Sequence, residues 1–369
     1  MSETARDDAA RQSPWAERRK AVRPQAVTVA REGAGDGAAA AGATTLAVKR
    51  MYEEYPYPSP LAGSSLIKDL ANVVRFTFPD DDLAGWRILD AGCGTGHRLL
   101  ALAQAHPGAR LTGVDLSAAS LGVARRMARE HGIDNVDFRQ ANLLDLRLPG
   151  HYDLIVSTGV VHHLSDPQLG LQNLTRHLAD DGLLLVWLYH SLGEFTRLLD
   201  RELALLLWGG DRADLRAGID VMRDLRLSLS AARYGTQTSM LAREEISQQS
   251  IDVDAYLHPI VNAYRFQEVA EMFGRAGLSW AAVNSVNRDG KSHLIDLERV
   301  SGDRDFCLDD GELFAAGPLR ERYASLDKGE KLKAIELAVR PTGFSLIGGR
   351  GGALGKCDGR VRGNAVSLG

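Results

Sequence analysis

The stretch Ile88-Leu89-Asp90-Ala91-Gly92-Cys93-Gly94-Thr95-Gly96 joins an apolar run to a helical pattern that begins at His97. Glycines between a strand and a helix let another group approach bare backbone, with the N–H groups of the helix pointing at that group. The dinucleotide pattern G-x-G-x-x-G would need glycine at His97, whereas the sequence has its third glycine at Gly96. Asp90 would repel a pyrophosphate but suits an ammonium or sulfonium charge. The stretch therefore predicts a turn that binds a ligand without phosphates.

Outward from this turn, short apolar runs alternate with helical patterns as far as Tyr189. The predicted strands are Arg87–Asp90, Arg110–Asp115, Val136–Arg139, Tyr152–Ser157 and Leu183–Tyr189. Strands that alternate with helices of this length indicate βαβ units and a parallel sheet. The alternation then gives way to helical spacing from Ser191 to about Tyr264, which predicts a helical insertion.

Further candidate ligand residues follow the second and third predicted strands. Asp115 lies 21 positions after Gly94, where an acidic residue accepts hydrogen bonds from two ribose hydroxyls. Asn142 and Leu143 follow the third strand and offer an adenine one polar contact and one apolar face. All of these positions belong to the rim where open α/β sheets bind ligands. Together they predict a nucleoside with an amino-acid tail.

Four segments, in this order, resemble the motifs of the class I S-adenosylmethionine-dependent methyltransferases: DAGCGTG at 90–96, GVDLS at 113–117, ANLLDL at 141–146 and DLIVSTGVVHHLSDP at 153–167. The resemblance implies a Rossmann-like α/β fold: a seven-stranded, mostly parallel sheet with helices on both faces and the last strand antiparallel. Beyond this family fold, we expect the helical insertion to form a cap. We also expect a C-terminal β-hairpin with strands at Ala334–Arg340 and Phe344–Ile347.

The same resemblance implies S-adenosylmethionine as the cofactor. Asn142 stands where the family most often has Asp, and its oxygen can equally accept the adenine amino group. The implied cofactor-binding residues are Asp90, Ala91, Gly92, Gly94, Thr95, Gly96, Asp115, Leu116, Ser117, Asn142, Leu143 and Gly159.

The methyl acceptor site is harder to predict, because a base is needed only when the acceptor is protonated at neutral pH. The candidate catalytic residues follow strands four and five or lie in the insertion: His162, His190, Asp254 and His258. Adjacent histidines make a poor metal pair, so we expect no metal.

Prolines prevent a continuous helix over Met51–Pro60. We expect its tyrosines to pack over the cofactor cleft, the alternative being a hydrophobic seam elsewhere; the lid or substrate residues are Tyr52, Tyr55, Tyr57 and Tyr189.

These observations give the following expected organisation: 1–45 disordered tail, 46–85 N-terminal cap segment, 86–190 methyltransferase core, 191–264 helical substrate cap, 265–298 end of the core, 299–349 C-terminal accessory and 350–369 flexible tail.

Composition limits the partners and the compartment. A formal net charge of −4 argues against a general nucleic-acid binder, and no apolar run reaches the ~18 residues of a membrane span. Three well-separated cysteines argue against a disulfide framework and favour the cytoplasm. The leading hypothesis is methyl transfer to a small molecule, with oligomeric state open. A protein or RNA methyltransferase and a noncatalytic S-adenosylmethionine-binding partner subunit are the alternatives.

Overall fold

In the computed structural model, the described residues are 37–58, 65–78, 83–209, 212–228, 245–314 and 316–369. Residues 41–369 form one compact unit. Most of the predicted disordered tail, residues 1–36, lies outside the described residues. The rest of that prediction is wrong: a helix begins at Gly37, where a run of alanines with high helix propensity follows.

A mixed sheet of nine strands forms the centre of the described part of the chain. Its order is β3-β2-β1-β4-β5-β8-β6-β7, with β9 paired to β6. The first five strands are parallel, and β8 runs antiparallel between β5 and β6. The strands are β1 Arg87–Ala91, β2 Arg110–Asp115, β3 Val136–Gln140, β4 Tyr152–Thr158, β5 Leu178–Tyr189, β6 Trp280–Arg288, β7 Lys291–Leu294, β8 Gly343–Gly349 and β9 Val366–Ser367.

Helices cover both faces of this sheet. Because successive side chains of a strand point to opposite faces, Leu89 and Ile155 enter one hydrophobic core while Ile88 and Leu154 enter the other. The helices are α1 Gly37–Glu54, α2 Asp69–Arg75, α3 His97–Ala105, α4 Ala118–Glu130, α5 Pro167–Arg176, α6 Phe195–Trp208, α7 Leu215–Asp224, α8 Glu245–Asp252, α9 Phe266–Arg275, α10 Asp310–Leu313, α11 Pro318–Ser325, α12 Lys328–Val339 and α13 Gly359–Asn364. The predicted Rossmann-like α/β fold is confirmed, with five parallel core strands; the sheet has nine strands rather than the expected seven, because β7 and β9 add to its antiparallel part.

The insertion after β5 is helical in its described part, as predicted. It contains α6, α7 and α8, and a π-helical turn at Val253–Leu257 follows α8. Trp208, Leu215 and Val253 of this insertion form a third hydrophobic cluster together with Met51 of α1. The N-terminal segment and the insertion therefore share one core. Within the described residues, no helix is both long enough and apolar enough to cross a membrane.

The predicted C-terminal β-hairpin is wrong. Ala334 to Val339 belong to α12, which begins with a capping box between Asp327 and Glu330. The segment that follows is β8, and it pairs with both β5 and β6 in the interior of the sheet. Residues 343–349 are thus part of the central sheet rather than an accessory.

The predicted flexible tail at 350–369 is also wrong. Its glycine content suggested fraying, yet this segment contains α13 and β9. Arg360 is 1% exposed. Its guanidinium donates to the carbonyl oxygens of Asn284, Ile295 and Phe76 and to the side chain of Asn284. Such a buried, bonded cation anchors the C-terminal segment.

Candidate functional site

The glycine turn is approached closely by the protein's own chain. Gly92, Gly94 and Gly96 have φ of 91°, 53° and 80°, a region that favours glycine. A Cβ at Gly94 would lie 2.3 Å from the carbonyl oxygen of Tyr57, and one at Gly92 would lie 2.3 Å from the side chain of Val160. Packing alone therefore accounts for these glycines, although Gly92 and Gly94 also line a cavity.

Asp115, at the end of β2, holds this turn in place. One carboxylate oxygen accepts a 2.8 Å hydrogen bond from Gly94 N–H, and the other accepts a 2.8 Å bond from Ser117 N–H. Burial raises the pKa of Asp115, while these backbone bonds oppose the rise. Each carboxylate oxygen has a second acceptor direction, so the group can still accept hydrogen bonds from a ligand.

A cavity of about 900 Å³ lies above the rim of the sheet. Seven of the predicted cofactor residues line it: Gly92, Gly94, Asp115, Leu116, Asn142, Leu143 and Gly159. The cavity continues past the ends of β4 and β5 to polar side chains of β6 and β8, namely Ser285, Asn287 and Ser345. It therefore has one end at the predicted motifs and a second end over the neighbouring strands.

The other predicted cofactor residues stand behind the wall rather than on it. They are Asp90, Ala91, Thr95, Gly96 and Ser117. Burial raises the pKa of Asp90 to about 7, against the opposing effect of Arg98. Ser117 caps α4 by accepting a hydrogen bond from Ser120 N–H. These residues shape the turn and place its charge.

The tyrosine segment packs against the glycine turn; its residues Ser59 and Pro60 lie outside the described residues. The hydroxyl of Thr95 donates to the carbonyl of Pro58 at 2.9 Å, and Thr95 N–H donates to that of Tyr57 at 3.3 Å. Tyr52 donates to Asp254 at 2.6 Å. Tyr52 and Tyr57 line the cavity together with Tyr189, and Tyr52, Tyr55 and Tyr57 all pack against the cluster around Trp208. The segment thus lies on the cavity wall and contacts the insertion.

The structure changes the set of candidate bases. His190 is completely buried and is not on the cavity wall; its Nε2 bonds to Glu336 at 2.8 Å and its Nδ1 accepts from Leu192 N–H. Its prediction as a general base is therefore wrong. His162 and His258 are also fully buried and away from the wall. Asp254 is on the wall, as is His163.

His163 was not predicted from the sequence. It directly follows His162 in a short 3-10 turn, and sequence spacing cannot tell which of two neighbours faces a cavity. Its Nδ1 bonds to the carbonyl oxygen of Ile260, which is 97 positions away. Within the described residues, no cluster of three or more acidic, histidine or cysteine side chains is arranged to hold a metal ion.

Comparison with known proteins identifies the family of this chain. Residues 82–209 match a family model described as a methyltransferase domain. An uncharacterized protein of Synechococcus sp. is 31% identical over 316 residues, which cover 81% of this chain and 70% of that protein. The chain belongs to the class I S-adenosylmethionine-dependent methyltransferases. S-adenosylmethionine is accordingly the cofactor of this methyltransferase.

Other similar proteins match less of their own length. The methyltransferase is 38% identical over 102 residues to the malonyl-[acyl-carrier protein] O-methyltransferase of Bacillus cytotoxicus, which is 28% of this chain and 35% of that enzyme. Its fold is similar to that of PKMT2 from Rickettsia typhi, with a TM-score of 0.51, 18% identity, and coverage of 82% of this chain and 53% of the other. PKMT2 is also known in complex with AdoHcy.

The cavity residues of the methyltransferase suit this cofactor. A carboxylate (Asp115), a side-chain amide (Asn142) and an apolar face (Leu143) line one end, which matches ribose hydroxyls and an adenine. Among the described wall residues, Arg98 is the one permanently charged cation, and it pairs with Asp69 at 2.9 Å. Apart from Arg98, the described wall thus offers a phosphate no cation, whereas a phosphate-free nucleoside needs none.

Proposed function

We propose that this methyltransferase transfers the methyl group of S-adenosylmethionine to a small-molecule acceptor held in the second end of the cavity. The observation that carries the proposal is the continuity of the cavity: it passes from Asp115 to Asn287, with Tyr52 and Tyr57 on its wall. A deep pocket suits a small ligand, whereas a polymer needs an open groove.

Within this proposal, each wall residue has a role toward the cofactor. Asp115 accepts hydrogen bonds from the ribose, Asn142 bonds the adenine edge, and Leu143 supports the face of the ring. Leu116, Gly92, Gly94 and Gly159 complete the wall. Asp90, with Ala91, Thr95, Gly96 and Ser117 around it, supplies shape and, in its ionised form, negative charge from behind the turn.

The charge of the wall supports a neutral or cationic acceptor. The carboxylates that line the cavity are Asp69, Asp115, Asp254 and Asp289, against the single guanidinium of Arg98 among the described residues. Such a wall repels anions. It therefore argues against a nucleic acid, and against adopting the carboxylate of a malonyl group as the acceptor by analogy with the Bacillus enzyme.

The main contribution of the protein to methyl transfer is to align the acceptor atom with the methyl group of the cofactor. The bound cofactor supplies a sulfonium methyl group that is already activated for transfer. Tyr189 and Trp187 place aromatic surface beside the acceptor end. Proximity and orientation supply much of the acceleration in such a site.

Incubation of the protein with isotope-labelled S-adenosylmethionine and a cell extract tests the proposal. The extract is first divided by ultrafiltration into small-molecule and macromolecular fractions. We expect the label in a small molecule. Label in protein or RNA would contradict the small-acceptor proposal, and no transfer to either fraction, despite cofactor binding, would favour a noncatalytic partner subunit.

A further inference from the structure

Three buried histidines lie in contact beside the acceptor end of the cavity. His162 and His163 follow β4, and His258 follows the π-helical turn of the insertion. The rings of His162 and His163 meet edge-on with centroids 4.3 Å apart, and those of His163 and His258 stack at 3.8 Å. Of the three, only His163 lines the cavity.

Backbone hydrogen bonds give these rings different tautomers. Ile260 N–H donates to His258 Nδ1 at 3.1 Å, and Tyr189 N–H donates to His162 Nδ1 at 3.3 Å. In neutral rings, these two histidines therefore carry their proton on Nε2. The carbonyl of Ile260 can only accept, so His163 donates to it from Nδ1 at 2.8 Å and has its lone pair on Nε2.

The Nε2 atom of His163 is buried and has no hydrogen-bond partner among the described residues. The Oδ1 atom of Asp254 lies 3.9 Å from this nitrogen and also accepts the hydrogen bond of Tyr52. That distance is too long for a hydrogen bond but short enough for a carboxylate to stabilise an imidazolium. His163 thus combines a position on the cavity wall, an unshared electron pair on Nε2 and a nearby carboxylate. These are the features of a general base.

We propose that His163 Nε2 is the general base that takes the proton of the methyl acceptor, and that Asp254 stabilises the imidazolium that results. This inference rests on the proposed function, and it specifies the acceptor as a molecule with an O–H or N–H group at the reacting atom.

Proton transfer to His163 accompanies methyl transfer. His163 takes the acceptor proton while the electron pair of the acceptor atom forms a bond to the methyl carbon. The pair of the broken carbon–sulfur bond stays on sulfur, giving S-adenosylhomocysteine, and His163 then passes its proton to water.

The groups around His163 keep its ring neutral at neutral pH. Burial lowers the pKa of His163, Asp254 and the bond to Ile260 raise it, and Arg197 and Arg201 of α6 lower it. The other groups that face this cluster are Tyr52 of α1, Tyr189 of β5, and the buried His162 and His258, whose own pKa values are lowered by burial first. Together they leave the lone pair available for a proton.

The first test needs no acceptor. Long-range ¹H–¹⁵N spectra of the histidine-labelled apoprotein at pH 7 report which ring nitrogen bears the proton, and the signal lost in His163→Gln assigns the ring. We expect a protonated Nδ1 and a bare Nε2. A proton on Nε2 would overturn the proposal.

The second test uses the small molecule labelled in the extract experiment. We expect His163→Gln to lower kcat by at least about a hundredfold, with affinity for S-adenosylhomocysteine within twofold of wild type. Asp254→Asn should move the acidic limb of the pH–rate profile to lower pH, because loss of the carboxylate lowers the pKa of His163. His151→Gln, at an exposed position, is the control and should behave as wild type.

The outcomes separate the two proposals. A wild-type protein that methylates no small molecule overturns the proposed function and this role with it. If the wild-type protein methylates a small molecule and His163→Gln is equally active, the base assignment alone is overturned. The same holds if the methylated acceptor atom belongs to a carboxylate, which needs no base. Equal loss of kcat and of S-adenosylhomocysteine affinity in His163→Gln would show a structural residue, which also overturns it.

Discussion

Substitution of Gly94 by alanine tests whether the N-terminal segment is locked onto the glycine turn. Gly94 has φ +53°, where a side chain costs about 1–2 kcal/mol. The new Cβ would lie 2.3 Å from the Tyr57 oxygen, which would have to retreat by about 1 Å to reach an ordinary carbon–oxygen contact. That retreat breaks the two bonds from Thr95 to Tyr57 and Pro58, worth about 0.5–1.5 kcal/mol each.

We therefore expect Gly94→Ala to lower the free energy of unfolding by about 2–5 kcal/mol. The matched control is Gly132→Ala, because Gly132 has φ +64° and no neighbour within 4 Å of a new Cβ; it should lose only about 1–2 kcal/mol. Urea unfolding measures both, and amide exchange at Thr95 reports directly on its bond to Tyr57. Equal losses in the two variants, with the Thr95 amide still protected, would refute the locked arrangement.

Three further predictions concern buried charge. Because the pKa of Asp90 is raised to about 7, it is protonated below that pH, so calorimetry should show affinity for S-adenosylhomocysteine falling from pH 8 to pH 6, and Asp90→Asn should flatten this dependence. Burial raises the pKa of Glu336, but bonds from His190, Arg265 and the backbone outweigh it and lower the pKa to about 2. Glu336→Gln should therefore cost about 3 kcal/mol at pH 7, a difference in urea unfolding that shrinks as pH falls from the ordinary glutamate pKa toward 2. Tyr52→Phe removes the buried bond to a carboxylate and should cost about 1.5–3 kcal/mol in the same assay; an unchanged value would indicate that water replaces the hydroxyl.

The features that the sequence predicts well are the local ones. The glycine turn, the acidic residue at the end of β2 and the alternation of strands with helices all lie within short stretches whose spacing carries the information. Their positions on the cavity wall, as for Gly92, Asp115 and Asn142, follow from the rule that ligands bind at the rim of such a sheet.

The features that the sequence misses depend on distant partners. Ile347 of β8 pairs with Leu185 and with Ala282, and nothing within residues 334–347 distinguishes an inner strand from one arm of a hairpin. Arg360 looks like part of a polar tail until its acceptors on β6 are known. A short apolar run beside glycines is ambiguous without such contacts.

Distant partners also decide which histidine lies on the cavity wall, so the sequence alone does not identify it. The sequence places His162 and His163 side by side, and only the peptide group of Ile260 and the position of Asp254 give His163 its lone pair and its counter-charge. Sequence reasoning also favoured His190, whose buried bond to Glu336 comes from α12, far along the chain.

A calorimetric titration of S-adenosylhomocysteine into the wild-type protein and into folded Asp115→Ala tests the central claim most directly, namely that the cavity beside Asp115 is the cofactor site. We predict micromolar binding to the wild type, hardly any binding of NAD, and at least about a tenfold loss of affinity in Asp115→Ala, because hydrogen bonds to a charged group are worth about 1.5–3 kcal/mol each. Unchanged affinity in the folded variant, or tight binding of NAD, would contradict this assignment.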